Sequence, residues 1–291
     1  MQILEGISSK VIGEFKMNNG KSIPKIGLGT YLVNSKEHTY NILHAAYKAG
    51  YRLFDTAVMY GNEQDIGNAI KKMEIDYGIK REELQITSKV LPSDMNRQAC
   101  INSVNQTLKD LQTNYLDILL MHWPSDDVKA RNETWFTMQE LVESKKVLSI
   151  GVSNFTSKHI KNLISLKECK IVPCINQIEL HPFYVDQPTV DFCKSQGIII
   201  EAYSPFRMGD QKLLQNPLLV EIGKKYKKSS SQIIIKWIYY KNIISLPKSN
   251  KESHLKSNLE IFDFELQPDE IEKIDKLNCM DKCDWDPSAL P

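Results

Sequence analysis

The chain has 291 residues, with 37 basic against 36 acidic side chains and a formal net charge of +1. Near-neutrality gives no electrostatic case for nucleic acid or an anionic membrane as partner. At 42% hydrophobic and 25% charged residues, the composition supplies a large core and excludes a disordered, collagen-like or low-complexity chain.

No stretch approaches the ~20 apolar residues needed to span a bilayer. Residues 1–16 carry Glu5, Lys10, Glu14 and Lys16 without an apolar block, so no secretory leader is expected. The six cysteines, at 100, 169, 174, 193, 279 and 283, form no C-x-x-C pair. They read as free thiols in a reducing compartment, which points to a cytoplasmic protein. Cys279 and Cys283 sit in a polar tail with no histidine near them in sequence, so no metal site is expected.

In chain order, Glu14–Ile23 is a hairpin candidate, because Asn19-Gly20 tolerates the positive φ of a tight turn. Ile26–Thr30 reads as a strand, followed by a helix from Asn34 or Ser35 to Ala49 that Gly50 stops. Tyr51–Thr56 is a strand and Asn62–Tyr77 a helix closed by Gly78; Leu84–Val90 is a strand and Arg97–Leu111 a helix. Leu116–His122 is apolar almost throughout, as a strand buried on both faces should be. The helix Ala130–Ser144, strand Leu148–Val152 and helix Ser157–Leu166 follow, the last with Thr156 as a candidate cap. Then come strand Pro173–Leu180, helix Gln187–Gln196, strand Ile198–Tyr203, and helices Pro217–Tyr226 and Ser231–Tyr240. Strand Ile243–Pro247 and helices Lys251–Leu259 and Pro268–Leu277 complete the pattern.

Eight strands from Ile26 onward, each followed by helical material, have the crossovers that parallel pairing requires. They predict an α/β chain closed into a (β/α)8 barrel, with an open doubly wound sheet as the structural alternative. No Gly-x-Gly-x-x-Gly loop follows the first strand; Gly27-Leu28-Gly29-Thr30 is half of one and lies within it. No repeat or linker divides residues 1–291, so one domain is expected.

Barrel enzymes place their chemistry at the carboxyl ends of strands. The second strand ends in Asp55, with Tyr60 in the loop after it, the third ends in Lys89 and the fourth in His122. Ser153 and Asn154 follow the fifth strand, Gln177 lies on the sixth, Tyr203 and Ser204 end the seventh, and Lys248 and Ser249 follow the eighth. Singly, Asp55 could cap a turn, Tyr60 could be a rim aromatic and His122 a satisfied structural histidine. Lys89 at the end of an apolar strand needs a counter-ion, which Asp55 on the neighbouring strand can supply. Together the four suggest proton chemistry. A phenol with a pKa of about 10 is a reluctant acid. An adjacent ammonium stabilises the phenolate and lowers that value, and an imidazole beside it can orient a carbonyl oxygen.

These residues, in this order, resemble the aldo-keto reductase family from about Phe15 to Phe264. The likeness rests on Gly27-Leu28-Gly29-Thr30, Phe54-Asp55-Thr56-Ala57 with Tyr60-Gly61-Asn62-Glu63, and Thr87-Ser88-Lys89. It continues through Met121-His122-Trp123-Pro124, Gly151-Val152-Ser153-Asn154-Phe155, Asn176-Gln177 with Glu179 and His181-Pro182, Ala202-Tyr203-Ser204-Pro205 and Pro247-Lys248-Ser249. The resemblance implies a metal-free NADPH-dependent carbonyl reductase, with NADH as the alternative cofactor, acting as a monomer on a small-molecule carbonyl substrate. Tyr60 would be the general acid, tuned by Lys89 and Asp55, and His122 would orient the carbonyl. Thr30, Ser153, Asn154 and Gln177 would serve the nicotinamide end, Tyr203 would stack on its ring, and Ser204 would touch the pyrophosphate. Lys248, Ser249, Asn250, His254 and Asn258 would meet the adenosine end. His254 stands where many members carry arginine, and Ser257 where a glutamate is usual. Arginine holds phosphate by a fixed planar fork, which histidine lacks, so weaker discrimination against NADH is expected. Tyr31, Trp123, Phe206 and Trp285 are the candidate substrate walls, and the stretch Asn278–Pro291 resembles the tail that covers the family's pocket.

Two other classes fit the barrel. A cofactor-binding regulatory protein, like the potassium-channel β subunits, would not need all four mouth residues. A Schiff-base aldolase would use Lys89 as nucleophile, but Asp55 would keep that amine protonated.

Overall fold

The computed structural model describes residues 12–291. The first part of the stretch read for a leader therefore lies outside the described residues.

The chain opens with an antiparallel hairpin, β1 (Glu14–Lys16) and β2 (Ser22–Pro24), in which Phe15 faces Ile23. Gly20 supplies the left-handed conformation of its turn, at φ 82°. Eight strands then alternate with helices: β3 (Leu28–Gly29), β4 (Leu53–Asp55), β5 (Gln85–Val90), β6 (Leu116–Met121), β7 (Val147–Ser153), β8 (Ile175–Glu179), β9 (Ile199–Tyr203) and β10 (Ile244–Leu246). All neighbouring pairs in this sheet are parallel, in sequential order. The first and last strands meet through Gly27 N–H to Ser245 O at 3.0 Å, Gly29 N–H to Pro247 O at 3.2 Å and Ser245 N–H to Lys25 O at 3.2 Å. These bonds close the eight-stranded sheet into a barrel, so the doubly wound alternative is excluded.

Among the described residues after the hairpin, the helices are α1 (Lys36–Ala49), α2 (Glu63–Tyr77), α3 (Arg97–Asp110), α4 (Val128–Glu143), α5 (Ser157–Ile164), α6 (Gln187–Ser195), α7 (Gln211–Leu214), α8 (Pro217–Tyr226), α9 (Ser230–Tyr240), α10 (Glu252–Leu259) and α11 (Pro268–Asp275). Sequence reading missed α7 and the short 3₁₀ turn Val58–Tyr60, each a single turn too brief to show a helical period. Several strands are shorter than expected, β3 most of all, because their ends leave the sheet to form the mouth and the base.

The core has two parts. Inside the barrel, Leu53, Ile118, Leu120, Ile175, Ile244 and Leu246 pack with Met17 and Ile23 of the hairpin. The hairpin thus plugs the amino-terminal end, and Asn18 and Asn19 donate side-chain bonds to Pro173 O and Ser149 Oγ, both at 2.9 Å. Between barrel and helices lies a larger apolar layer that includes Trp135, Trp237 and Ile233–Ile235.

The carboxyl-terminal tail, residues 278–291, is fastened across the mouth. Glu179 at the end of β8 accepts the amides of Cys283 (2.7 Å) and Asp284 (3.1 Å), and Lys282 lies 3.5 Å from it. Arg207 grips Asp281 through two bonds of 2.7 and 3.1 Å. His181, two residues after Glu179, stands beside this anchor with its Nε2 2.9 Å from Glu179 Oε1, and the fold brings Cys283 to the pair, which sequence proximity did not suggest. Glu179, His181 and Cys283 thus have potential ligand atoms within 4.8 Å of one another. Two backbone amides and a lysine already occupy the carboxylate, so the cluster works as a clasp for the tail.

Two predictions follow from this packing. In an open helix, Gly67→Ala stabilises by ~1 kcal/mol. Here a Cβ at Gly67 would press on the Asp110 carbonyl and lie 2.8 Å from Leu111 Cα. The substitution is expected to destabilise by about 1–3 kcal/mol, read as a lower urea midpoint. Glu179→Gln should speed hydrogen exchange at the Cys283 and Asp284 amides. Hydrogen bonds from His181 and the tail amides, working against burial, hold the Glu179 pKa down at about 2. Its contribution to holding the tail is therefore full above the ordinary carboxylate range and is lost as the pH falls toward that value.

Candidate active site

At the carboxyl ends of the strands the barrel interior turns from apolar to polar. Asp55 closes β4 and Lys89 lies on β5, and their backbones are brought together by the register that pairs Asp55 with Thr87. Lys89 Nζ donates to both Asp55 oxygens and to Thr56 O, each at 2.8 Å. Those three acceptors match the three ammonium protons. Tyr60 Oη stands 3.3 Å from the same nitrogen. Tyr60 is delivered by the Val58–Tyr60 turn, which Gly61 ends at φ 65°, a left-handed geometry that a side chain would strain.

His122 follows β6 directly, and its amide extends the ladder to Val90 O at 2.9 Å. Its ring centroid is 5.9 Å from that of Tyr60, nearly edge-on at 78°. Burial, with a further push from the Lys89 ammonium, lowers the His122 pKa to about 3, so the imidazole is neutral. Burial raises the Tyr60 pKa, and the Lys89 ammonium opposes it without reversing the direction. This corrects the expectation of a phenol made more acidic by its neighbour. Desolvation of the phenolate wins in the free protein. Lys89 responds oppositely: burial pulls its pKa down, but the Asp55 carboxylate and Tyr60 carry it above the usual value.

The remaining strand ends complete the wall. Ser153 Oγ donates to Gln177 O at 2.9 Å. Asn154, in the left-handed region at φ 60°, donates to His122 O at 3.0 Å and accepts from Tyr203 Oη at 2.9 Å. Ser204 is also left-handed, at φ 48°, so two residues beside the mouth hold uncommon backbone geometry.

A cavity of about 1190 Å³ opens over these groups. Asp55, Tyr60, His122, Ser153, Asn154 and Gln177 form its floor and Tyr203 and Ser204 one side. Tyr31, Trp123, Phe206 and Trp285 line the apolar end, where the Trp123 and Trp285 rings meet edge-on with centroids 6.2 Å apart. Lys248, Ser249, Asn250, His254 and Asn258 also line the cavity. Two expected residues stand behind the wall. Lys89 is buried behind Tyr60, and Thr30 is fully buried, its hydroxyl donating to Asp55 O at 2.9 Å.

Sequence reading missed Glu201, buried beneath Gln177, and Asp284, whose carboxylate lies 3.4 Å from Tyr203 Oη. A lone carboxylate in the otherwise apolar strand Ile199–Tyr203 was the available signal for the first. Nothing in the tail's polar composition marks the second. Met59, Met208 and the Ser229, Ser231 and Gln232 group also reach the cavity.

The donor set suits an elongated ligand with a phosphate-bearing end. Lys248 is partly buried, and burial alone lowers its pKa, with no carboxylate to counter it. An uncompensated cation in a cavity wall favours an anion. The other strand ends offer amides, a hydroxyl and an aromatic ring.

The residues 25–279 match the model of the Aldo/keto reductase family. The chain is 39% identical to the glyoxal reductase of Bacillus subtilis, over 94% of this chain and 96% of that protein. It is 35% identical to the glycerol 2-dehydrogenase (NADP(+)) of Saccharomyces cerevisiae, over 93% and 91%. A solved Bombyx mori aldo-keto reductase in complex with NADP superposes with a TM-score of 0.87 at 30% identity, covering 96% of this chain and 95% of that one. With the closed barrel, the match along nearly its whole length and these relatives, the chain belongs to the aldo/keto reductase family and is an oxidoreductase.

Proposed function

We propose that the protein reduces aldehydes and ketones to alcohols with NADPH, Tyr60 acting as the general acid. The observation that carries this reading is the chain Asp55–Lys89–Tyr60, with contacts of 2.8 and 3.3 Å, opening on the large cavity. Support for the cofactor comes from the uncompensated Lys248 and from the NADP named for the Bombyx mori structure.

The bound nicotinamide supplies the hydride. Ser153, Asn154 and Gln177 would hold its carboxamide end, Tyr203 its ring, Ser204 the pyrophosphate, and Lys248, Ser249, Asn250, His254 and Asn258 the adenosine end. Tyr60 Oη then gives its proton to the oxygen that becomes an alkoxide. The Lys89 ammonium stabilises the phenolate left behind, and Asp55 keeps that lysine charged and in place. Neutral His122 orients the carbonyl by a hydrogen bond without competing as an acid. Tyr31, Trp123, Phe206 and Trp285 would enclose the rest of a small-molecule carbonyl substrate.

The aldolase reading fails on the same geometry. An ammonium donating to three oxygens at 2.8 Å has no lone pair to offer a carbonyl carbon. The binding-only reading gives no use for a phenol held 3.3 Å from a buried lysine.

Tyr60→Phe is expected to lower kcat for NADPH-dependent aldehyde reduction by about 10²–10⁴-fold while NADPH still quenches protein fluorescence. Turnover close to wild type would remove Tyr60 from this role. His254→Arg should improve NADPH over NADH by about tenfold in kcat/KM, the worth of one charge-assisted contact of ~1.4 kcal/mol. An unchanged ratio would place the 2′-phosphate elsewhere.

A further inference from the structure

One buried acid on the barrel axis has no part in the scheme above. Glu201 lies on β9 between Gln177 of β8 and Ile244 of β10, its register partners, and none of its surface is exposed. Its Oε2 accepts a hydrogen bond of 2.9 Å from Gln177 Nε2. The same nitrogen donates at 2.8 Å to Asp55 Oδ2, an oxygen that also receives the Lys89 ammonium. One amide group therefore uses its two protons to bridge two carboxylates. The other Glu201 oxygen, Oε1, is buried and has no hydrogen-bond partner.

The charges do not balance locally. Lys89 is engaged with Asp55, Thr56 O and Tyr60, and among the described residues no second cation faces Glu201. The charged groups that do face it are Asp55 from β4 and Lys89 from β5; its neighbours Gln177 and Ile244 are neutral. A carboxylate without a counter-ion, one amide away from an ion pair, is costly when ionised.

We propose that Glu201 is a positioning residue that, through the Gln177 amide, holds Asp55 against Lys89 and whose state of protonation sets how tightly Tyr60 keeps its proton. This rests on the assignment of Tyr60 as acid. When Glu201 carries a proton, the chain from Asp55 to Tyr60 feels one negative charge below it. When Glu201 ionises, it feels two, the phenolate is disfavoured, and Tyr60 becomes a weaker acid. Burial, reinforced by the nearby Asp55 charge, moves the Glu201 pKa up to about 7, so the change falls in the working range. Reduction should therefore slow as the pH rises through that region.

The test uses Glu201→Gln, nearly isosteric and still able to accept from Gln177, beside Glu201→Leu, which removes the acceptor. The kcat/KM for aldehyde reduction in wild type should fall about threefold through a step near pH 7. That step should vanish in Glu201→Gln. Glu201→Leu should lose it too, and should also raise the KM for NADPH, because Gln177 is no longer held. A step that persists unchanged in Glu201→Gln overturns the proposal, as does a Glu201→Leu enzyme indistinguishable from Glu201→Gln.

A second readout needs no turnover. The Tyr60 phenol is followed by ultraviolet difference titration, wild type minus Tyr60→Phe. It should ionise about one pH unit lower in the Glu201→Gln background. An unmoved Tyr60 titration overturns the coupling even in an inactive enzyme. If the titration moves but Tyr60→Phe retains full activity, the assignment of the acid has failed and the coupling stands. Removing an unbalanced buried charge is also expected to leave Glu201→Gln at least as resistant to urea as wild type above pH 7.

Discussion

The ion pair between Lys89 and Asp55 is the constraint on which the mouth of this barrel depends. Both side chains are essentially withdrawn from solvent, at 0% and 5% exposure. Two charges taken out of water lose several kcal/mol of hydration each, which their attraction offsets only when the geometry is close and the remaining protons are satisfied. Here every ammonium proton has an oxygen at 2.8 Å, and the carboxylate is further held by Gln177. Such a pair tolerates little movement of β4 against β5. It converts the parallel register of two strands into a fixed position for one nitrogen, and that nitrogen works against the burial that raises the Tyr60 pKa.

The rest of the fold keeps that register rigid and dry. The hairpin fills the base of the barrel with the buried side chains of Met17 and Ile23. Above it Leu53, Ile118, Leu120, Ile175, Ile244 and Leu246 fill the barrel beneath the polar mouth. From above, the tail is drawn over the cavity by Glu179 and Arg207, which carries Trp285 to Trp123. A low-dielectric floor strengthens each charge interaction in the site, and the same burial explains why His122 is neutral and why free Tyr60 holds its proton firmly.

Much of the architecture was legible in the order of residues. The alternation of apolar runs with helical periods, punctuated by Gly50, Gly78 and Gly197, predicts eight βα units, and the polar residues at the strand ends predict one mouth. Strand ends in Asp55, Lys89, Ser153 and Tyr203 can be read because a parallel strand buried on both faces is apolar until it emerges. Tyr60 is readable only with its neighbours, since a turn of three residues has no period of its own. His181 beside Cys283, 102 positions apart, has no local signature at all.

The sequence by itself determined the eight βα units, the identities of the mouth residues and the strand or loop that bears each one, because those follow from local hydrophobic period and from the rule that parallel strands present their carboxyl ends on one side. Only the tertiary structure decided which charges meet. The bridge from Glu201 through Gln177 to Asp55 joins three strands, the tail's clasp joins residues about a hundred positions apart, and the closing bonds at Gly27 and Gly29 depend on a strand more than two hundred positions later. The direction of each pKa shift depends on how completely the closed barrel excludes water from that point. Local sequence carries no measure of that depth, because burial is a property of the whole packed chain.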